Sequence, residues 1–263
     1  MKIIVCIKQV PDPTSSSSGT TVDTEAKRVI MPQGTPPVIN PYDENALEAA
    51  LMIKDTLGAE ITVISAGKNL AKPVLRKTLA AGADNLILLN DAEFEKLDSY
   101  ATAHVLAAAI KETGEYDLIL CGRQASDTDA GQVGSGIAEI LKIPGITAAC
   151  KVEPGDGKVM VERVVSDGTE EVEAPLPALV TVSSELGELR YPGVKEIMAA
   201  QKTPITVRNA QELGVEVSHL KKPNLVSLSA PPGRKAECQL IEAETPEEAG
   251  ADLALKMREA QLL

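Results

Sequence analysis

Short runs of branched apolar residues alternate with amphipathic stretches through the first half of the chain. Lys2–Lys8, Glu60–Ser65, Asn85–Leu89 and Asp117–Cys121 carry Ile, Val and Leu at consecutive positions. That pattern predicts strands buried on both faces of a parallel sheet. Between them the period becomes helical. In Asn45–Leu57, Ala46, Ala50, Ile53 and Leu57 recur at helical spacing, with Pro41 and Asp43 as start signals. Further helices are predicted over Leu70–Ala81, over the Ala-rich Ser99–Thr113, and from just after Asp129, where Val133, Ile137, Ile140 and Leu141 form an apolar face. This βαβαβ order predicts an α/β fold, a mostly parallel sheet with helices on both faces.

Two regions break the rhythm. Residues 11–41 hold Ser15-Ser16-Ser17-Ser18-Gly19 and six prolines, counting Pro11 and Pro41, and predict a long excursion with a short hairpin around Val22–Met31. From Ile146 the pattern turns β. Lys158–Val165 and Thr169–Glu173 flank Ser166-Asp167-Gly168, a hairpin turn, and Ala178–Val182 is a further core strand. After Arg190, prolines at 192, 204, 223, 231, 232 and 246 interrupt the chain before a final predicted helix, Pro246–Leu262. Such a segment cannot order a core of its own, and an extended arm packed on another chain is expected. The division is residues 1–190 as the α/β domain and 191–263 as the partner-facing segment and arm.

Charge and composition narrow the function. Among 263 residues, 38 acidic against 26 basic side chains give a formal charge of −12, which disfavours nucleic acid as a partner. One Phe, four Tyr and no Trp leave almost no platform for stacking bases. The N-terminal run Ile3–Ile7 followed by Lys8 predicts no signal peptide, and no apolar stretch reaches a membrane span, so a cytoplasmic protein is expected. Cys6, Cys121, Cys150 and Cys238 form no CxxC pair and predict no metal site. Cys6 and Cys121 sit in strand-like runs and behave as small buried hydrophobes. His104 and His219 are expected to be structural or solvated, so a catalytic triad has no support and no catalytic side chain is assigned.

The segment from Leu118 to Gly136 carries the chemistry. An apolar strand ends at Gly122, a polar loop follows, and a glycine-containing helix begins. Ligands bind at the carboxyl ends of parallel strands in that geometry, and free N–H groups at the helix start can hold a phosphate. Gly131 and Gly134 permit close approach. Glu139 stands where the third glycine of a dinucleotide fingerprint would be, and no Walker lysine is present. Equally, Ser126, Asp127 and Asp129 could simply cap the helix. Asn40-Pro41-Tyr42-Asp43 precedes another helix, and Ser65-Ala66-Gly67 ends another strand at the same edge. Arg123 could reach a phosphate or a flavin edge, or make a surface ion pair.

These residues resemble the β subunit of electron-transfer flavoproteins over nearly the whole chain. The landmarks are Ile3-Ile4-Val5-Cys6-Ile7-Lys8-Gln9-Val10-Pro11-Asp12, Ile39-Asn40-Pro41-Tyr42-Asp43-Glu44, Ala80-Ala81-Gly82-Ala83-Asp84 and Gly122–Gly136. They continue with Val161-Glu162-Arg163 through Pro177-Ala178-Leu179-Val180-Thr181, then Arg190-Tyr191-Pro192 and Ile197-Met198. The resemblance implies a Rossmann-like nucleotide-binding domain in an αβ heterodimer. Such a carrier subunit, not a stand-alone enzyme, passes electrons between dehydrogenases and quinone- or ferredoxin-linked oxidoreductases. It implies AMP in the β subunit of simple carriers and a second FAD in electron-bifurcating members, which also accept hydride from NADH. Around that nucleotide it places Cys6, Asn40, Pro41, Tyr42, Asp43, Ala66, Gly122, Arg123, Gln124, Ala125, Ser126, Asp127, Thr128, Asp129, Ala130, Gly131, Gln132 and Val133. Val194, Ile197 and Met198 match the loop that docks on partner dehydrogenases. Val194 stands where simple carriers have leucine, Val164 where they have Glu, and Ser166 where an acidic residue is usual. The run Asp129–Gly134 resembles the anaerobe and nitrogen-fixation branch, which weighs toward FAD over AMP. An AMP-binding regulatory module without a redox role is the alternative.

Overall fold

The computed structural model describes residues 1–15, 20–220, 225–230 and 238–262, apart from the side chains of Lys96 and His219. Ser16–Gly19 of the expected excursion, Pro223, Pro231 and Pro232 of the arm, and the His219 side chain lie outside the described residues.

The first strand, β1 (Lys2–Cys6), leads into β2 (Gln9–Pro11), the hairpin β3 (Thr21–Asp23) and β4 (Arg28–Ile30), and β5 (Pro37–Ile39), which returns to pair with β2. Next come α1 (Pro41–Leu57), β6 (Glu60–Gly67), α2 (Lys72–Leu75), α3 (Lys77–Ala81) and β7 (Asn85–Asn90). A 3-10 turn (Ala92–Lys96), α4 (Ser99–Glu112), β8 (Leu118–Gly122) and α5 (Val133–Leu141) follow. The antiparallel run β9 (Gly145–Gly155), β10 (Lys158–Val165) and β11 (Gly168–Pro175) precedes β12 (Ala178–Val182). The chain then forms α6 (Val194–Lys202), β13 (Thr206–Arg208) and α7 (Pro246–Glu259).

Among the described residues the main sheet has nine strands in the order β11-β10-β9-β12-β8-β1-β6-β7-β13. From β9 to β13 every neighbouring pair is parallel, so the expected α/β architecture is present, with a Rossmann-like core. Consecutive strand residues face opposite layers. Ile3 and Val5 join α1 and α3 in one apolar core, whereas Ile4 and Cys6 join α4 and α5 in the other. Strands β1, β8 and β12 are buried on both faces, which accounts for their unbroken apolar runs.

Differences from the sequence pattern have local causes. Helix α1 starts four residues before the apolar periodicity, because Asn40 and Pro41 supply its N-cap and first position. The single helix expected over Leu70–Ala81 is divided at Arg76. There the buried Thr78 hydroxyl donates to the Leu75 carbonyl at 2.8 Å, competing with the backbone ladder. The segment after 190 does not leave the sheet at once. Its α6 and β13 were not predicted, and β13 pairs with β7 as the edge strand. Ala210, Leu213 and Val217 then bury against the α4–α5 core. Beyond that, α7 buries no side chain among the described residues. No helix among them is long and apolar enough to cross a membrane.

Candidate functional site

The connection after β1 leads to β6 on one side, and the connection after β7 returns to β8 on the other. The helices that follow β1 and β8 lie on opposite faces, since α1 packs in one core and α5 in the other. Where connections diverge in this way, a crevice opens beyond the carboxyl ends of the two strands. A cavity of about 630 Å³ occupies that place, lined by Cys6 at the end of β1, Lys8 just beyond it, and Cys121 and Gly122 at the end of β8.

Three polar side chains knit the crevice together. Asn40, 1% exposed, donates from Nδ2 to the Gln124 carbonyl at 2.8 Å and accepts the Ser126 N–H on Oδ1 at 3.0 Å. Asp43, 6% exposed, accepts the Lys8 N–H at 2.6 Å and the Gly122 N–H at 3.0 Å. Burial pushes its carboxyl up to about 7, against the lowering effect of those hydrogen bonds and the Lys8 charge. Lys8 Nζ in turn holds both oxygens of Asp127, at 2.6 and 2.8 Å.

A side chain at position 122 has no room: its Cβ would lie 2.6 Å from the Tyr42 carbonyl carbon and 2.7 Å from the Asp43 nitrogen. Gly131 adopts φ +62°, a left-handed conformation that L side chains rarely take. The loop then enters α5 at Gln132, whose side chain does not cap the helix. The helix therefore begins without a side-chain cap at Gln132, Val133 and Gly134, which line the cavity.

Of the residues singled out from the sequence, Cys6, Asn40, Asp43, Ala66, Gly122, Gln124, Ala125, Asp127, Thr128, Ala130, Gly131, Gln132 and Val133 line this one cavity. Pro41, Tyr42, Arg123, Ser126 and Asp129 do not. Pro41 and Tyr42 open α1. The Arg123 guanidinium turns away, sits 5.7 Å over the Tyr42 ring and donates to Ser183 Oγ at 3.2 Å. Asp129 accepts from Gln124 Nε2 at 3.0 Å, and Ser126 contributes its N–H to Asn40. The Ser126 hydroxyl is buried with no hydrogen-bond partner among the described residues. Cys6 and Cys121 are register partners on β1 and β8. The hydrogen bond that the Cys121 thiol makes to Cys6, followed by burial, pushes the Cys121 thiol well above its ordinary range and keeps it protonated.

The opposite wall was not singled out from the sequence. Lys68, Asn69 and Leu70 after β6, and Phe94, Leu97, Asp98, Ser99, Thr102 and Leu106 around the start of α4, complete it. The available signal was Asp98, the N-cap of α4, accepting the Ala101 N–H at 2.7 Å at the same sheet edge. Both lining lysines are engaged by carboxylates, Lys8 by Asp127 and Lys68 by Glu95. No group of three or more metal-ligating side chains occurs among the described residues. His104 lies on α4 with its ring edge-on to Tyr100, centroids 4.5 Å apart. Val194, Ile197 and Met198 lie far from this loop in sequence, on α6 rather than in a loop, and are 75%, 43% and 62% exposed.

Residues 27–213 match the family model of the electron transfer flavoprotein domain. The chain belongs to the electron transfer flavoprotein family, as a β subunit. It is 40% identical to the caffeyl-CoA reductase–Etf complex subunit CarD of Acetobacterium woodii, over the full length of both chains. It is 44% identical to an electron transfer flavoprotein subunit beta of Thermoanaerobacterium thermosaccharolyticum, covering 84% of this chain and 83% of that one. The FixA protein of Bradyrhizobium diazoefficiens is 39% identical, with 96% and 90% covered. An electron-transfer role follows from membership in the electron transfer flavoprotein family.

Proposed function

We propose that this chain binds an adenine nucleotide in the cavity beyond β1 and β8, and pairs with an α subunit to form a cytoplasmic electron-carrying heterodimer. The observation that carries the proposal is the convergence of the Asn40–Asp43, Ala66 and Gly122–Val133 segments on one cavity. The residues suit such a ligand. The exposed N–H groups at the start of α5 are chemically fitted to phosphate, and Gly131 leaves the approach to them clear. Apolar Leu97 and Leu106 with Phe94 offer the far wall to a flat ring system.

The cavity extends well past the loop to that far wall, which supports a ligand larger than AMP and hence FAD. Bound FAD would supply one- or two-electron redox chemistry, with NADH as a donor if the complex bifurcates. The protein side would bind and orient. Asn40 fixes the loop that faces the ligand, Asp43 sets the distance between the two strand ends, and the buried Cys121 thiol stays protonated and unreactive. Val194, Ile197 and Met198 would form the docking face for a dehydrogenase, with a quinone- or ferredoxin-linked oxidoreductase among the redox partners.

The test is to purify the chain with its α subunit, extract the ligands and measure flavin against protein. Two FAD per heterodimer is the expected result. One FAD with one AMP would assign AMP to this cavity. No adenine nucleotide beyond the α-subunit flavin would overturn the site.

A further inference from the structure

Helix α6 is nine residues long, and Ala200 is its one buried residue. Tyr191, just before it, is 94% exposed. A helix this short is marginal in water unless tertiary contacts hold it. Ala200 packs it against α3, and two arginines from outside the helix pin its two ends. At its leading end, Arg190 donates from Nε and Nη2 to the Glu48 carboxylate at 2.7–3.1 Å. The backbone N–H of Arg190 reaches the same carboxylate at 3.0 Å, and Nη1 reaches Asp55 at 2.8 Å. Glu48 and Asp55 stand two turns apart on α1, and the Glu48 side chain is 12% exposed. At the trailing end, Arg76 Nη1 donates to the carbonyls of Ala200 and Thr203, the latter at 2.8 Å. The Ala200 carbonyl also takes the Thr203 N–H at 3.3 Å, and a cation beside these C-terminal carbonyls is favoured.

We propose that Arg190 and Arg76 are positioning residues that keep α6 folded before any partner arrives, so that Val194, Ile197 and Met198 present one preformed apolar face. Spacings of three and four put these side chains on the same side of the helix. A face already ordered loses less freedom on docking than one that must fold on contact. The functional half of this proposal rests on the reading of α6 as a docking face for a dehydrogenase; the folding half stands on the two clamps alone.

Hydrogen exchange on the purified heterodimer tests the clamps. In Arg190→Gln and in Arg76→Gln, amides 194–202 are expected to exchange at least about tenfold faster, with β1 and β8 unchanged. Arg190→Lys, which keeps the charge but not the forked contact, should fall between. Unchanged exchange in both Gln variants would overturn the proposal. The second arm measures electron transfer from an acyl-CoA dehydrogenase reduced by its thioester substrate. The clamp variants should raise KM for the heterodimer while kcat and flavin content hold. Val194→Asp should raise KM without altering exchange. If Val194→Asp leaves KM unchanged, the docking reading fails while the exchange result still decides the clamps.

Discussion

The carboxylate of Asp43 accepts the backbone N–H of Gly122 at 3.0 Å, although 79 positions separate the two residues. Its other oxygen takes the N–H of Lys8 at 2.6 Å, so the last residue of β8 and the segment just beyond β1 are joined through the start of α1. The spacing is set by contact as well as by hydrogen bonds, because position 122 has no room for a Cβ. Replacing Gly122 by Ala should therefore force these backbones apart. We expect a loss of about 1–3 kcal/mol in urea unfolding of the heterodimer, as for other overpacked sites. The adenine nucleotide should be lost with it. Gly155→Ala, at a position with nothing within 4 Å of the added methyl group, is the matched control and should change neither.

Asp43 also makes stability depend on pH. Its ordinary value is 3.8, and burial raises it to about 7 in the folded chain. Between those values the folded state keeps a proton that the unfolded state has released. Stability from this group is therefore lost as pH rises from about 4 to about 7. Asp43→Asn removes the titration. The stability of wild type minus that of the variant should shrink across this window and level off above it. A difference that grows with pH would show that the ionised carboxylate is the form the fold prefers.

Asn40 bridges a carbonyl and an N–H of the Gln124–Ser126 loop from a position that is 1% exposed. Truncation to Ala strands both backbone groups, at a cost of about 1–3 kcal/mol for each one left buried and unpaired. Asn40→Asp keeps an acceptor for Ser126 but sets a second oxygen against the Gln124 carbonyl. Both variants should bind AMP or FAD at least about tenfold more weakly in calorimetry, a difference of about 1.4 kcal/mol. Wild-type affinity in either would mean that the loop is held by something else.

Gly131 stands where the loop turns into α5, with φ +62°. Gly131→Trp adds a large side chain on the cavity lining and strains the turn. The heterodimer should then be purified without its β-subunit nucleotide while its far-UV circular dichroism is unchanged. Retention of the nucleotide would place the ligand elsewhere.

The central strands were legible because burial on both faces writes an unbroken apolar run, and β12 falls on its predicted residues, 178–182. The hairpin about Asp167 was legible from its turn residues. The first four residues of α1 were legible only as start signals, Pro41 and Asp43, because the apolar periodicity begins at Ala46. Helix α6 was missed for a related reason. Its apolar spacing, Val194, Ile197 and Met198, covers little more than one turn, and neighbouring prolines suggest irregular chain. Three-residue β13 is too short to signal anything. In the site, the loop after β8 was legible from its glycines and polar run. The wall at Phe94–Leu106 was not, because only the sheet order brings that wall to the same edge. Arg123 lay in the right loop but faces the wrong way, which backbone position alone does not reveal.

The engaged lysines of the cavity bear on ionic strength. A site that captures phosphate with mobile cations loses affinity steeply as salt screens them. Here Lys8 and Lys68 are each held by a carboxylate, and the groups left to meet an anion are peptide N–H dipoles fixed by the fold. Nucleotide affinity between about 0.02 M and about 0.5 M salt should then vary by less than about threefold. Retention of the ligand would depend on the geometry of the peptide backbone more than on the composition of the surrounding solution.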